Sequence, residues 1–229
     1  MIGSLVGLQR VVLALAALLL SLTFFALAEP DLISRTYTWD YAGRTWSLEY
    51  DFPSYAYHLQ ASLTRTLDYT SYGVYVNDPR DDVILGDFVS QLEKIAVGLN
   101  IWQRLNLVVA LVQSIPYVGE SCEYPRYPLE MLVESQGDCE DAAILTAALV
   151  QHMGFDVVLL AFLAEHHMAV GIHVLPPQHE TLQAYEWSGD LYFYLEPTSP
   201  GWEIGQRPAM YQSQPAIIGL PLTIASTSR

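Results

Sequence analysis

A thiol, an imidazole and a carboxylate follow one another along this chain as Cys139, His167 and Glu196, the second 28 residues after the first and the third 29 after that. That is the order nucleophile, base, orienter. Cys139 sits in Gly137-Asp138-Cys139-Glu140-Asp141, which opens the apolar run from Ala142 to Met153 that stops at Gly154. The pattern predicts a helix with Asp138 as N-cap, Asp141 at the acidic position of a capping box and Gly154 as the C-terminal stop. A thiol in the first turn meets the positive end of the helix dipole, which favours thiolate. Asp138, Glu140 and Asp141 oppose this, because like charge raises a thiol pKa, so the arrangement calls for an imidazolium nearby. The competing reading is a cysteine packed as a small hydrophobe.

The elements around the other two residues read as strands. Met168, Val170, Ile172 and Val174 alternate with His167, Ala169, Gly171 and His173. A strand here turns His166 to its apolar side and His167 to the opposite face, where Ala169 and Gly171 leave room for another element or a ligand. Asp156 to Phe162 is an apolar run of strand length suited to the middle of a sheet. Leu182–Trp187 and Leu191–Leu195 flank Ser188-Gly189-Asp190, a hairpin signal. Tyr192, Tyr194 and Glu196 then share a face, and Glu196 stands at a strand end before Pro197, placed to hold an imidazole in one tautomer.

Upstream, apolar residues recur at three and four from Asp82 to about Val97 and from about Trp102 to Ile115, giving two amphipathic helices. Gln113, at the end of the second, is a candidate donor to a reacting oxygen. Pro128 starts a short helix over Leu129–Glu134. Alternating aromatics between Thr36 and Pro53, interrupted by Ala42-Gly43-Arg44, predict a hairpin.

These blocks together resemble the transglutaminase-like superfamily of papain-like cysteine hydrolases. Gly137-Asp138-Cys139-Glu140-Asp141-Ala142-Ala143 resembles its cysteine helix, His167-Met168-Ala169-Val170-Gly171 its histidine strand, and Tyr194-Leu195-Glu196-Pro197-Thr198 its acid strand. Tyr127-Pro128-Leu129-Glu130 and Gly201-Trp202-Glu203-Ile204-Gly205 extend the likeness to about Ile101–Pro208. The family's third member is usually aspartate; here it is Glu196, longer by a methylene. The resemblance implies an α+β fold with the cysteine helix packed on an antiparallel sheet, and an acyl-enzyme formed on Cys139. Water as acceptor gives a peptidase or amidase, an amine acceptor a transglutaminase. Hydrolysis is the favoured reading, with a peptide or protein as substrate. A silent extracellular binding module is the alternative.

Val11–Ala28 is an uncharged stretch of 18 residues following Arg10 and ending Ala26-Leu27-Ala28, which predicts export through residues 1–28 as a cleaved leader or a retained membrane anchor. The remainder reads as an aromatic-rich extension (29–80), the transglutaminase-like domain (81–209) and a loosely patterned tail (210–229). Beyond the N-terminal stretch, 9 basic residues face 25 acidic ones, which opposes binding to nucleic acid or anionic lipid and leaves the N-terminal segment as the sole membrane contact. No metal motif or cofactor site is legible. Cys122 and Cys139 are the two cysteines, and a disulfide between them is open.

Overall fold

Between Ala142 and Val150, helix α6 (Cys139–His152) carries apolar residues on every side, and that pattern requires burial all round. In the computed structural model, which describes residues 31–176 and 182–220, every residue of α6 from Glu140 to Gln151 is buried. Four other helices surround it or its neighbours: α1 (Ser54–Ala61), α3 (Asp82–Ile95), α4 (Ile101–Gln113) and α5 (Pro128–Glu134), with a single turn, α2, at Gly73–Val76. The remaining side of α6 lies on strands β3 (Val157–Phe162) and β4 (His167–Ile172). Each long helix begins where its sequence signals place it. Asn100 and Gln103 cap α4 reciprocally, and Pro128 with Glu130, which accepts from the Tyr127 N–H at 2.9 Å, opens α5.

The sheet is antiparallel throughout, in the order β5-β6-β4-β3-β7, where β5 is Ala184–Trp187, β6 is Asp190–Leu195 and β7 is Ala216–Gly219. The fold is therefore α+β, with the cysteine helix packed on an antiparallel sheet, as expected. β3 and β4 are buried on both faces. Met168, Val170 and Ile172 meet α6 in the main core. The face with Ala169 and Gly171, where the small residues leave room, receives Phe162, Tyr185, Tyr192 and Tyr194. The small residues make room for these rings, and a Cβ on Gly171 would stand 2.8 Å from Val158 Cγ2 and 3.0 Å from Tyr192 Cβ. β7 is a strand that the sequence pattern does not signal; it pairs Ile217 with Leu160 and Ile218 with Leu159 at the sheet edge.

A second, two-stranded sheet joins β1 (Leu32–Tyr41) to β2 (Arg44–Pro53) through Ala42 and Gly43, both at positive φ. Ser188 and Gly189 make the same kind of two-residue turn between β5 and β6. The inward side chains of β1 and β2, Tyr37, Trp39, Trp46 and Leu48, are part of the main core, and the Tyr37 hydroxyl donates to the Leu132 carbonyl of α5 at 2.8 Å. The predicted leader or anchor, residues 1–28, lies outside the described residues, as does the chain after Leu220. No helix among the described residues is long and apolar enough to cross a membrane.

The approach to α6 depends on Gly137. A Cβ there would lie 2.8 Å from Asp141 Cβ and 3.2 Å from Met131 Cε. Gly137→Ala should cost about 1–3 kcal/mol, as other small-to-large changes at packed sites do. Urea unfolding of wild type and variant tests this, and equal midpoints would refute it.

Candidate active site

The first turn of α6 is an acidic cluster held by one cation. Arg126 donates its backbone N–H to Asp141 Oδ1 and its Nη1 to Asp141 Oδ2, both at 2.6 Å. The same Oδ2 accepts from the Asp138 N–H at 3.2 Å, so the capping carboxylate is fixed from both sides. The guanidinium also binds Glu134 Oε2 at 2.9 Å and Glu120. Burial pushes the Asp141 carboxyl up to about 6 even though Arg126 pulls the other way, and burial with the neighbouring Asp138 pushes Glu140 up to about 9. Among the described residues, Asp138, Glu140 and Asp141 are the group whose oxygens, all within 4.8 Å of one another, lie close enough to share a metal cation.

Cys139 opens this helix, half-buried, with its Sγ 3.3 Å from Glu140 Oε2 and 3.9 Å from the His166 carbonyl. Burial first, then the charge of Glu140, push the thiol pKa well above that of a free cysteine. The acidic neighbours raise the thiol as the sequence reading expects, and burial adds the largest part. Among the described residues no hydrogen bond joins Sγ to the His167 ring, yet both line one cleft of about 190 Å³, walled by Tyr69, Tyr72, Phe162 and Met168. Cys122 is exposed, and both cysteines are free.

His167 and Glu196 are in direct contact. Val170 pairs with Leu195 across β4 and β6, so one further step along the ladder sets Glu196 beside Ala169, diagonal to His167 on the same face. With only a methyl group between them, the longer acid reaches the ring: His167 Nε2 lies 3.0 Å from Glu196 Oε2. That oxygen also accepts from the Tyr194 hydroxyl at 2.5 Å, and Oε1 accepts from the Thr198 N–H at 3.0 Å and the Thr198 hydroxyl at 2.5 Å. Burial alone would raise this carboxyl; the bond to His167 and the donors from Thr198 and Tyr194 outweigh it and hold the pKa below the ordinary carboxylate value. A carboxylate facing Nε2 keeps the proton on that nitrogen and leaves Nδ1 as the free lone pair.

Three placements differ from the sequence reading. Gln113 is buried at the end of α4, and its Nε2 donates to the carbonyls of Glu196 at 2.7 Å and Trp202 at 2.9 Å. Both amide hydrogens are therefore committed, and Gln113 positions the strand end that carries Glu196 instead of serving an oxyanion. His166 is not on the apolar face; it stands exposed in the β3–β4 turn with φ of 50°. Tyr211, from the supposed tail, stacks on His167 with ring centroids 3.8 Å apart and planes 5° from parallel. No pattern around Tyr211 signals this, because the contact joins residues 44 apart through a loop.

No family model matches the sequence, and no curated protein matches it. Among solved structures, LapG of Legionella pneumophila, EGTA-treated, is 18% identical with a TM-score of 0.37, over 71% of this chain and 78% of that one. A candidate cysteine protease from Cytophaga hutchinsonii is 13% identical with a TM-score of 0.40, over 84% of this chain and 74% of that one.

Two outcomes follow from the electrostatics. Glu140→Gln removes the second cause of the raised thiol pKa, so the alkylation midpoint of Cys139 should move down while staying above the free-thiol value of ~8.5, since burial persists. The alkylation rates of the two proteins should diverge most above pH 9, where Glu140 becomes ionised in wild type; a midpoint that does not move refutes this. Glu196 has a depressed pKa, so its contribution to stability is present above the ordinary carboxylate range and is lost as pH falls through its folded value. Tyr194→Phe removes one of its donors and should cost about 1 kcal/mol near neutrality. Melting curves should bring variant and wild type together as pH falls through the depressed folded value of Glu196; a gap that stays constant into acid would exclude Glu196 as its source.

Proposed function

We propose that this protein is a cysteine hydrolase of transglutaminase-like type that cleaves amide or peptide bonds through Cys139, His167 and Glu196. The contact that carries the reading is His167 Nε2 on Glu196 Oε2 at 3.0 Å, with Cys139 lining the same cleft at the start of a buried helix. In the described conformation the thiol is protonated and turned to Glu140. Rotation about its Cα–Cβ bond swings Sγ toward Nδ1 of His167, the nitrogen that Glu196 leaves unprotonated.

From there the steps balance. Nδ1 takes the thiol proton; sulfur adds to the scissile carbonyl carbon, and the oxygen becomes an oxyanion facing the Cys139 backbone N–H, one of the helix donors without a helical partner. The C–N bond breaks as the imidazolium returns its proton to the leaving amine, which leaves a thioester on Cys139. Water, deprotonated by His167, adds to the thioester; the acid departs and sulfur recovers its proton. An amine in place of water would make the same thioester an acyl-transfer intermediate. Export through residues 1–28 is part of this proposal, with the hydrolase on the extracytoplasmic side as a secreted or anchored protein and a peptide or protein as its substrate.

One observation favours a second reading, a silent binding module: the thiol bonds to Glu140 and not to His167. Quenched peptide libraries, together with iodoacetamide alkylation across pH, separate the two. The hydrolase reading expects turnover that falls by at least about 10³-fold in Cys139→Ala and in His167→Ala. It also expects Cys139 alkylation to slow in His167→Ala. Alkylation that is indifferent to His167, with no turnover by wild type, would install the binding module instead.

A further inference from the structure

Between Gly205 and β7 the chain crosses the aromatic face of the sheet as a strap, pinned at both ends. At its start Arg207 Nη1 donates to the Tyr185 hydroxyl of β5 at 2.7 Å. At its end Glu165, in the β3–β4 turn, gathers three donors: the N–H groups of Gln212 at 3.0 Å and Ser213 at 2.9 Å on Oε1, and the Ser213 hydroxyl at 2.5 Å on Oε2. A turn between them, closed by the Tyr211 N–H on the Pro208 carbonyl at 3.2 Å, presents the ring of Tyr211. That ring lies flat on His167 at 3.8 Å and tilts against Phe162 at 6.1 Å. Glu165 stands two residues before His167 in sequence, so the pin and the stacked imidazole belong to one turn and its first strand residue.

Glu196 restrains the imidazole in one direction only. A hydrogen bond at Nε2 leaves the ring free to roll about the Nε2···Oε2 line, and rolling carries Nδ1 away from the cleft. A parallel ring against one face removes that freedom. Stacking on an electron-rich phenol also suits the imidazolium that forms when His167 accepts the thiol proton. We propose that Tyr211 is a positioning residue for His167, and that the strap, through its pin on Glu165, sets the plane of the base. The inference rests on the reading of His167 as the base and adds to it the element that orients the ring.

The test uses the full chain with Tyr211→Phe, Tyr211→Leu and Glu165→Ala, each with and without His167→Ala, and reads two quantities. One is the imidazole proton resonances of His167, assigned by their loss in His167→Ala; the other is the rate of Cys139 alkylation across pH. A parallel ring at 3.8 Å shifts the imidazole protons upfield. Tyr211→Leu should return them toward free-histidine positions and slow the His167-dependent alkylation by about two- to ten-fold, the fold-change matching the usual worth of an aromatic pair. Tyr211→Phe should keep both, and Glu165→Ala should reproduce the leucine variant in part. In the His167→Ala background the Tyr211 changes should have no further effect on alkylation. Wild-type resonances in Tyr211→Leu would overturn the proposal, as would an undiminished effect of that variant when His167 is absent. If His167→Ala alone leaves alkylation unchanged, the reading of His167 as base fails, while the resonances still report whether Tyr211 orders the ring.

Discussion

The ion pair between Arg126 and Asp141 is almost completely removed from solvent, with the Asp141 side chain at 0% exposure. Isolated at that depth, the carboxylate would be costly, and losing one partner of such a pair typically costs about 3–5 kcal/mol. Arg126 offsets this with a planar fork that no lysine could match, meeting Asp141, Glu134 and Glu120 at once. The consequences spread from there. Asp141 holds the Asp138 N–H, which fixes where α6 begins and hence where the thiol points. The backbone of Arg126 is tied to the same carboxylate, so the following residue, Tyr127, is set to start α5. On α5, Glu130 is buried against Arg65 at 2.6 Å, a second pair of the same kind. In a chain with 10 basic residues against 25 acidic ones, two arginine side chains are thus largely withdrawn from solvent to meet acids on α5 and α6.

How much of this was legible in the sequence depends on how local the cause is. The cysteine helix, the His167 strand and the Ser188–Gly189 turn are specified by periodicity, caps and turn residues within a few positions of one another, and each lies where those signals put it. The diagonal contact of His167 with Glu196 follows from strand alternation once the two strands are neighbours. The rest is non-local. Gln113 reads as a polar residue at a helix end, and its commitment to the carbonyls of Glu196 and Trp202 exists only because α4 passes under that strand end. Arg126, Tyr211 and β7 carry no pattern that separates them from loop residues. The thiol's state illustrates the same limit: dipole and acidic neighbours were visible as opposing influences, but the largest one, burial, is a property of the packed molecule.

The two faces of β4 divide the work. Met168, Val170 and Ile172 seat the sheet on α6, so they set the height of the cysteine relative to the strand. His167 and Ala169 face the aromatic layer, where Phe162, Tyr194 and Tyr211 surround the imidazole. Glu196, His167 and Tyr211 therefore share one layer while Cys139 comes from the other. The two meet at the end of β4, where the β3–β4 turn brings the His166 carbonyl to within 3.9 Å of Sγ.

The strap and β7 come after every other part of the site in the chain, and this orders the events of synthesis. Helix α6 and the hairpin β3–β4 are made of contacts between near neighbours and can form early, whereas β7 must find β3 across more than fifty intervening residues. During elongation the thiol and the imidazole are thus assembled before the element that roofs the imidazole has emerged. Until the strap has emerged, the imidazole of a growing chain therefore lacks the ring that stacks on it, so the environment of His167 is completed after that of Cys139.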